Sequence, residues 1–245
     1  MTPKLGIIIP VYNEGPNIKA TLDAIEQKVK TSHRIYIVYD FDEDDTLPAA
    51  MEMQRKGLAI ELMKNPVRGV AGAIKTGLQN APDDFLLVTM ADLSDDYSVV
   101  DRMCEMMTQG CDLVCGARYM KGGKQIGGPV FKKFLSSTAG LSLKYITSLP
   151  VHDITNSFKL YRKSIFGTID IQSDAGFEIG MEIAVKAHFS GYKVAEVPCT
   201  WTDRQDGRSK FKIMKWLPKY LRWYFYALRK NLTSRNPNHR HRTTD

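Results

Sequence analysis

Residues 85–96 read FLLVTMADLSDD, and this stretch decides the fold. Its apolar start is typical of a strand buried within a sheet, and the run ends abruptly at a cluster of carboxylates. Ligands of open α/β sheets bind outside the carboxyl ends of the strands, so we expect the chemistry at Asp92. A polar turn that caps the next helix is the alternative interpretation, because Ser94, Asp95 and Asp96 suit a helix start.

The same pattern of an apolar strand followed by polar residues recurs before this stretch. Residues 5–10 (LGIIIP) form a continuous apolar run of the kind that fills a parallel strand buried on both faces. Residues 34–39 (RIYIVY) end in the acidic loop 40–46. Helical segments separate these strands from further predicted strands, which lie at 59–63, 112–116, 158–161 and 193–201. This alternation predicts an α/β fold with a Rossmann-like, mostly parallel sheet flanked by helices.

The composition favours one domain and argues against nucleic acid as a partner. A chain of 245 residues, 43% of them hydrophobic, is long enough for one α/β domain with appendages. The net charge of +7 is concentrated at one end, because residues 200–245 contain 12 Lys and Arg but 3 Asp and Glu. These basic residues lie in one segment without a recognition motif, so we expect no binding of nucleic acid.

Cysteine usage and hydropathy indicate where the protein works. The cysteines show neither a C-x-x-C pair nor a zinc spacing, so we interpret them as reduced thiols of a cytosolic chain. They are Cys104, Cys111, Cys115 and Cys199. No segment is apolar over the length needed to span a bilayer, and the N-terminus lacks the apolar region of a signal peptide. We therefore expect a peripheral protein on the cytoplasmic face of a membrane, and the sequence indicates no oligomeric state.

Two segments near the C-terminus are amphipathic. Residues 131–149 carry an apolar helical stripe with basic residues at its N-terminal end. Residues 211–230 mix Trp and Tyr with Lys and Arg, as interfacial helices do, and Pro218 predicts a kink or a restart within them. We therefore divide the chain into a catalytic domain (1–210), an amphipathic membrane-interface helical segment (211–230) and a polar disordered tail (231–245).

Seven stretches together resemble the inverting family-2 glycosyltransferases of the GT-A fold. The resemblance is closest to the branch that transfers mannose to polyprenyl or dolichyl phosphate. The matching stretches are IIIPVYNE (7–14), Asp40 in the acidic loop, RGVAGA (68–73), ADLS (91–94), GARY with GG (116–119 and 122–123), DITNSF (153–158), and WTDR with Gly207 and SKF (201–204 and 209–211). They occur in the family's order over nearly the whole chain, so the resemblance implies a GT-A catalytic domain.

The resemblance implies a nucleotide-sugar donor at the ends of the first strands. Glu14 would accept hydrogen bonds from ribose hydroxyls and Asp40 would bind the base or ribose, because ionised carboxylates accept hydrogen bonds. The implied donor-binding residues are Pro10, Tyr12, Glu14, Asp40, Arg68, Gly69 and Ala91. Without the resemblance, Glu14 is interpreted as a charge at a helix N-terminus and Asp40 as a turn residue.

The resemblance also implies a divalent cation, Mg²⁺ or Mn²⁺, held by Asp92 with Ser94. The cation would neutralise the charge that grows on the leaving nucleoside diphosphate. This chain departs from the family's pattern, because Met90 stands where the family usually has an aspartate, and a thioether is a poor ligand for such ions. Either Asp92 holds the metal with help from Ser94, Asp95 or water, or the reaction depends little on a metal.

A lipid phosphate is the acceptor that the resemblance implies. Its second pKa is about 6, so its oxygen attacks the sugar without a general base, and the site needs cations to hold it. The implied phosphate-binding residues are Arg118, Lys132, Lys133, Ser136, Arg204, Ser209 and Lys210. The implied catalytic residues are Asp92, Arg118 and Arg204. The expected reaction moves a hexose, mannose from GDP-mannose, onto polyprenyl phosphate with inversion.

The sequence leaves two alternatives open. One is transfer from another nucleotide-sugar to a sugar or protein hydroxyl, which needs a general base. The candidates for that base are Asp95, Asp96, Asp153 and Glu178. The other is a catalytically weak homologue that docks on membranes, which Met90 favours. Taken singly, Lys132 and Lys133 also fit solvated surface charges.

Overall fold

The computed structural model describes residues 4–203 and 213–235, which form nine strands and seven helices. The strands are β1 (Leu5–Pro10), β2 (His33–Tyr39), β3 (Ile60–Lys64), β4 (Phe85–Val88), β5 (Leu113–Ala117), β6 (Lys124–Ile126), β7 (Lys159–Arg162), β8 (Val194–Pro198) and β9 (Thr200–Thr202). The helices are α1 (Asn17–Lys28), α2 (Thr46–Arg55), α3 (Val70–Asn80), α4 (Val100–Thr108), α5 (Val130–Thr147), α6 (Glu178–Phe189) and α7 (Ile213–Arg235).

The central sheet has the strand order β3-β2-β1-β4-β7-β5-β8. Every neighbouring pair is parallel except those that involve β7, which runs antiparallel to β4 and β5. The expected mostly parallel sheet flanked by helices is confirmed. The chain winds outward from β1 to β3 and then returns to β4 on the other side of β1. A crevice therefore opens where the connections at the carboxyl ends of β1 and β4 diverge.

Alternating side chains of β1 contribute to two cores, one on each face of the sheet. Ile7 and Ile9 face a layer made by α1, α2 and α4. Ile8 faces the opposite layer, which is made by α3, α6 and the inner sides of α5 and α7. All six residues of β1 are buried, which explains why this strand is a continuous apolar run.

The predicted strand over residues 193–201 forms two strands in different sheets. β8 joins the central sheet, whereas β9 pairs with β6 in a separate two-stranded sheet. Pro198, which ends β8, has no backbone N–H with which to continue a ladder. β6 has three residues, and the sequence did not indicate it.

Helix α7 corrects two expectations about the C-terminus. It runs as one helix from Ile213 to Arg235 with Pro218 inside it, so of the two outcomes expected at Pro218 the restart is wrong and the kink stays a prediction. Residues 231–235 belong to this helix rather than to a disordered tail, because Asn231 is buried and its Nδ2 donates to the carbonyl of Ile146. The rest of the predicted tail, 236–245, lies outside the described residues.

The ring of Trp223 lies in the protein core and not on the predicted membrane interface. It is 2% exposed and packs in the core cluster above the sheet. Its Nε1 donates to Oγ of Ser173 at 2.9 Å. Because α7 packs against both α5 and α6, one of its faces has to be buried, and Trp223 is on that face.

The outward sides of α5 and α7 carry exposed apolar side chains, which we call the apolar outer face. Its residues are Val130, Phe131, Phe134, Tyr145, Ile146, Leu221, Phe225 and Leu232. The two helices lie side by side in the same direction, because Tyr224 donates to Ser142 and Asn231 donates to Ile146. Within residues 4–203 and 213–235, no helix combines the length and the apolar character needed to cross a bilayer.

Candidate active site

A cavity of about 510 Å³ opens at the crevice between the ends of β1 and β4. One part of it is polar and is formed by residues that follow β1, β2 and β4. The other part lies between α5, α6 and α7, where the lining residues are Leu135, Ala139, Met181, Leu217, Tyr220, Leu221 and Tyr224. The two parts form one continuous space, and Arg118 and Lys132 also line it.

The loop after β1 brings Tyr12 and Glu14 to the cavity. The acidic loop after β2 holds this loop in place. Both carboxylate oxygens of Asp44 accept from the N–H of Asn13 at 3.2 Å, and Oγ1 of Thr46 accepts from the N–H of Glu14 at 3.0 Å. Part of the acidic loop therefore supports the polar part of the cavity from behind.

Asp40 joins the end of β2 to the start of α3. Its Oδ1 accepts from Nδ2 of Asn65 at 2.7 Å and its Oδ2 accepts from the N–H of Gly69 at 2.8 Å. Gly69 has a φ of 105°, which L side chains rarely adopt. Asp40 still lines the cavity, and a carboxylate has further lone pairs that accept hydrogen bonds from a ligand.

Arg68 lies apart from the other expected donor residues. It is exposed and lines a neighbouring pocket of about 610 Å³. Tyr12, Asp40 and Gly69 border both this pocket and the main cavity. A ligand that extends from the cavity into the pocket would reach Arg68.

Asp92 lies in a tight turn directly after β4. Its Oδ1 accepts from the N–H of Ser94 at 3.1 Å, and Leu93 between them has a φ of 57°. Asp92 and Ser94 line the cavity together with Ala91, whose carbonyl accepts from Oγ1 of Thr21 at 2.8 Å. The turn therefore places Ala91, Asp92 and Ser94 in the wall of the cavity.

The next two carboxylates along the chain serve the protein's own structure. Asp96 caps the following helical turn by accepting from the N–H of Ser98 at 3.1 Å, and its Oδ2 accepts from the N–H of Thr200 at 3.2 Å. Asp95 is buried, and its Oδ2 accepts from Oγ1 of Thr89 at 2.8 Å. Burial raises the pKa of Asp95 to about 7. The helix cap suggested by the sequence is therefore Asp96.

The turn at Asp92 fits a hard divalent cation with one protein carboxylate as a ligand. Residues 4–203 and 213–235 contain no group of three His, Cys, Asp or Glu side chains that could hold an ion. Mg²⁺ is commonly bound through one or two carboxylates together with water and substrate phosphates. Asp92 and the hydroxyl of Ser94 offer such oxygens, whereas Met90 lines the cavity with a thioether.

Arg118 forms a buried ion pair in the wall of the cavity. Its Nε lies 2.6 Å from Oδ2 of Asp153 and its Nη2 lies 3.0 Å from Oδ1. The rings of Tyr119 and Trp201 lie 4.8 Å and 5.9 Å from its guanidinium carbon. Burial disfavours the charge of Asp153, but Arg118 outweighs this effect and lowers the pKa of the carboxyl. Because two of its nitrogens are bound to Asp153, Arg118 does not offer that edge for the bidentate phosphate contact that we expected.

Two adjacent lysines at the start of α5 have different surroundings. Lys132 lines the cavity, where burial and Arg118 lower its pKa and Asp203 opposes that change. Lys133 is exposed and is absent from the described lining, because adjacent helical side chains point about 100° apart. Ser136, about one turn after Lys132, lines the cavity. The described lining gives no support to the expected phosphate contact of Lys133, which stays a prediction.

The sequence matches a family model described as Glycosyl transferase family 2 over residues 6–170. The chain belongs to glycosyl transferase family 2. This membership confirms the family that the ordered motifs led us to expect.

Two relatives of this family-2 chain are named for mannose compounds. The chain is 32% identical over 231 residues to the dolichol-phosphate mannosyltransferase of Pyrococcus furiosus. The aligned region covers 93% of this chain and 64% of that relative. It is 28% identical over 237 residues to the polyprenol monophosphomannose synthase of Mycolicibacterium smegmatis. That aligned region covers 88% of this chain and 87% of the relative. The chain thus spans 64% of the length of the Pyrococcus protein.

Solved structures with a similar fold include complexes of glucosyl-3-phosphoglycerate synthase from Mycobacterium tuberculosis. The complex with Mn²⁺, UDP-glucose and phosphoglyceric acid has a TM-score of 0.69 at 14% identity and covers 92% of this chain and 80% of that chain. The complex with Mn²⁺, UDP and glucosyl-3-phosphoglycerate has a TM-score of 0.66 at 15% identity, with 94% and 80% covered. The GT-A fold expected for a family-2 chain is confirmed.

The described lining of this family-2 cavity includes none of the four carboxylates considered as a general base. Asp153 is bound to Arg118, and Asp95 and Asp96 have the internal contacts given above. Glu178 is 1% exposed, and its Oε2 has no hydrogen-bond partner among the described residues. The alternative of a hydroxyl acceptor thus loses the bases suggested for it.

Several lining side chains of the family-2 site were not singled out from the sequence. They are Tyr119, Gln125, Trp201, Asp203, Trp216 and Tyr220, and although Tyr119, Trp201 and Asp203 lie within matched stretches, no site role was predicted for any of the six. The mix of aromatic and basic residues at 211–230 predicts a membrane contact. It does not show that some of these rings, such as Trp216 and Tyr220, line the cavity. A Cβ atom at Gly176 would lie 2.2 Å from the ring of Trp216, so this glycine allows α7 to approach α6 closely. Arg204, Ser209 and Lys210 lie outside the described residues, and their roles stay predictions.

Proposed function

We propose that this chain transfers mannose from GDP-mannose to a polyprenyl phosphate at a membrane surface, with inversion at the anomeric carbon. The observation that carries this proposal is the continuous cavity, whose polar part suits a nucleotide sugar and whose apolar part suits a hydrocarbon chain. A small hydrophilic acceptor would leave the apolar part between α5, α6 and α7 without a ligand.

Lys132 is the principal ligand of the acceptor phosphate in this proposal. It lines the cavity and carries a compact ammonium group that donates to phosphate oxygens. Ser136 adds a hydroxyl from the same helix. Arg118 has a smaller share in this contact, because two of its nitrogens are bound to Asp153.

The proposed reaction is a single displacement. A phosphate oxygen of the acceptor attacks the anomeric carbon and forms the new C–O bond, while the bond from that carbon to GDP breaks and its electron pair leaves on the diphosphate. A phosphate monoester has a second pKa of about 6, so no side chain has to remove a proton. A divalent cation bound at Asp92 would neutralise charge on the leaving diphosphate. Attack from the face opposite GDP inverts the configuration.

The choice of mannose rests on the names of the relatives, and the choice of GDP rests on the resemblance to the family branch. Both curated relatives are named for mannose compounds, whereas the solved structures of similar fold contain UDP or UDP-glucose. The relatives at 32% and 28% identity are more similar to this chain than the structures at 14% and 15%. The proposed donor contacts are Pro10, Tyr12, Glu14, Asp40, Arg68, Gly69 and Ala91.

The apolar outer face is the proposed contact with the membrane. Exposed basic side chains on the same two helices suit anionic headgroups, and these residues are Lys133, Arg222, Arg229 and Lys230. Leu221 belongs both to the outer face and to the lining of the cavity, so the apolar part of the cavity lies beside this face. A lipid in the bilayer would then reach the cavity without crossing open water.

A transfer assay with labelled GDP-mannose and a polyprenyl phosphate in mixed micelles tests the proposal. We expect a mannosyl phospholipid, and no product when the free alcohol polyprenol replaces the phosphate. Asp92→Asn should abolish transfer, whereas Asp23→Asn, at an exposed position on α1, should not. Product from polyprenol would contradict the proposed acceptor, and a preference for UDP-glucose would contradict the proposed donor.

A further inference from the structure

The loop 170–176, which precedes α6, contacts α7 at two buried positions. Ser173 is 2% exposed, and its Oγ accepts from Nε1 of Trp223 at 2.9 Å. A Cβ atom at Gly176 would lie 2.2 Å from the ring of Trp216, so this ring packs directly on the backbone of the loop. Trp216 and Trp223 are about two helical turns apart and therefore lie on nearly the same side of α7. The loop thus fixes both the axial position and the rotation of this part of the helix.

The carboxylate of Glu182, on α6, holds the loop from inside the protein. Its Oε1 accepts from the N–H of Gln172 at 2.7 Å, and its Oε2 accepts from the N–H of Ser173 at 2.7 Å. Nζ of Lys186 donates to the same Oε1 at 2.6 Å and to the carbonyl of Asp170 at 2.6 Å. Glu182 is fully buried, and a buried carboxylate needs such donors. The loop and the carboxylate therefore stabilise each other.

The other contacts of α7 with this loop are exposed. Nζ of Lys219 lies 3.1 Å from Oδ1 of Asp174, but these side chains are 43% and 73% exposed, and such surface pairs contribute little. The hydrogen bonds from α7 to α5 come from Tyr224 and Asn231, farther along the helix. The first half of α7 thus depends on the buried contacts at Ser173 and Gly176.

This half of α7 forms much of the wall of the apolar part of the cavity. A shift or rotation of the helix would move its lining side chains together, because they all project from one rigid element. These side chains are Trp216, Leu217, Tyr220, Leu221 and Tyr224.

We propose that Glu182 and Ser173 are positioning residues for the lipid-phosphate acceptor, because they hold the loop that sets the position of α7 in the cavity wall. This inference rests on the proposed acceptor. Neither residue is in the described lining of the cavity, so they act through Trp216 and Trp223 and do not touch the acceptor. The proposed donor residues follow β1, β2 and β4, so binding of the nucleotide should not depend on the loop.

Calorimetry on the full chain with geranyl phosphate, a short prenyl phosphate, and with GDP and Mg²⁺ tests this separation. We expect Glu182→Gln to weaken the affinity for geranyl phosphate by about 10-fold or more and Ser173→Ala by about 3-fold or more, because hydrogen bonds to a charged group are the stronger ones. The affinity for GDP should stay within about twofold, because distant sites act independently. Unchanged affinity for geranyl phosphate in both variants, or an equal loss for both ligands, would overturn the proposal.

Tyr36→Phe is the control for a general loss of stability. The hydroxyl of Tyr36 donates to Oδ2 of Asp83 at 2.6 Å, and both residues are buried and absent from the described lining. Thermal unfolding measures the stability of this variant beside the other two. We expect Tyr36→Phe to lose stability and to keep its affinity for geranyl phosphate. An equal loss of affinity in this control would show that any destabilisation produces the effect, and would overturn the proposal.

Ser173 and Trp223 should act as one unit, because one hydrogen bond joins them. The double variant of Ser173→Ala and Trp223→Phe should bind geranyl phosphate about as weakly as Trp223→Phe alone, since the second change removes a contact that is already lost. Additive losses would overturn the action of Ser173 through Trp223. Circular dichroism checks the fold of each variant, and if Glu182→Gln fails to fold, Ser173→Ala and the double variant decide the question.

The same measurements separate a failure of this inference from a failure of the proposed function. If the wild type binds neither geranyl phosphate nor a longer polyprenyl phosphate in micelles, the proposed acceptor is wrong and the inference is wrong with it. If the wild type and the variants bind geranyl phosphate equally well, the proposed acceptor stands and the positioning role alone is wrong.

Discussion

Nε of Arg118 lies 2.6 Å from Oδ2 of Asp153, and this ion pair joins the segment after β5 to the segment before β7. The same Oδ2 accepts from the backbone N–H of Arg118 at 3.1 Å, and Oδ1 accepts from the N–H of Asn156 at 3.2 Å. One buried carboxylate thus holds two segments of the cavity wall together. The main role of this ion pair is to position the cavity wall, because Asp153 already binds two nitrogens of the Arg118 side chain.

Asp153→Asn should lower the free energy of unfolding by about 3–5 kcal/mol, because it leaves the charge of Arg118 buried without its partner. Denaturant unfolding followed by circular dichroism measures this loss. Asp112→Asn is the matched control, since Asp112 forms a half-buried ion pair with Arg162 and should lose less. Equal losses in the two variants would show that burial does not distinguish the two pairs.

Lys132→Met should raise the KM for polyprenyl phosphate by about 10-fold or more, because a hydrogen bond to a charged group contributes about 1.5–3 kcal/mol. The KM for GDP-mannose should change much less. Lys133→Met, at the exposed neighbouring position, should leave both values within about twofold, since surface charges contribute little. Steady-state kinetics in detergent micelles measures both variants. The opposite ranking would place Lys133 at the acceptor.

The double substitution of Phe134→Ser and Phe225→Ser should weaken binding to vesicles that contain anionic lipid by about 10-fold or more. The two rings are 61% and 60% exposed on the apolar outer face, and burying one such ring contributes about 1.5–3 kcal/mol. Sedimentation with vesicles measures the change. Met51→Ser is the control, because Met51 is exposed on α2 in the other helix layer. Unchanged binding of the double variant would remove this face from the membrane contact.

Lys159 gives a prediction about pH, because it is a fully buried lysine in β7. Burial lowers its pKa, and its Nζ donates to the carbonyl of Ile154 at 3.1 Å. The unfolded chain therefore binds a proton more readily than the folded protein does, so the cost of burying this charge disappears as the pH rises toward the unfolded pKa of about 10.4. Relative to Lys159→Met, the wild type should gain stability over that alkaline range. A pH-independent difference between the two would contradict this prediction.

The grouping of the expected donor residues at one cavity was largely predictable from the sequence. Each buried parallel strand ends at the same edge of the sheet, so the residues that follow β1, β2 and β4 had to lie near one another. The structure brings Tyr12, Glu14, Asp40 and Asp92 to one cavity, as expected. Arg68 is the exception, because its exposed position places it in the neighbouring pocket.

The sequence did not predict which individual charged and aromatic side chains line the cavity and which pack inside the protein. Asp92, Asp95 and Asp96 are the same residue type in one short loop, but Asp95 is bound to Thr89 and Asp96 to Thr200, whereas Asp92 lines the cavity. Trp223 and Phe225 lie two positions apart on α7, where one is buried and the other is exposed. The pattern of an amphipathic helix does not tell which aromatic ring packs against neighbouring helices.

The antiparallel direction of β7 brings the segment before this strand to the cavity, at a place in the sequence far from the proposed donor residues. Because β7 runs against its neighbours, its entry loop lies at the edge of the sheet where the other strands have their exits. Thr155, Asn156 and Ser157 in this loop line the cavity, whereas the donor residues follow β1, β2 and β4. Substitutions at these three positions would therefore reshape the proposed acceptor wall without changing the proposed nucleotide loops. With the donor and acceptor roles proposed above, substitutions in the loop before β7 would alter acceptor specificity and substitutions after β1, β2 and β4 would alter donor specificity.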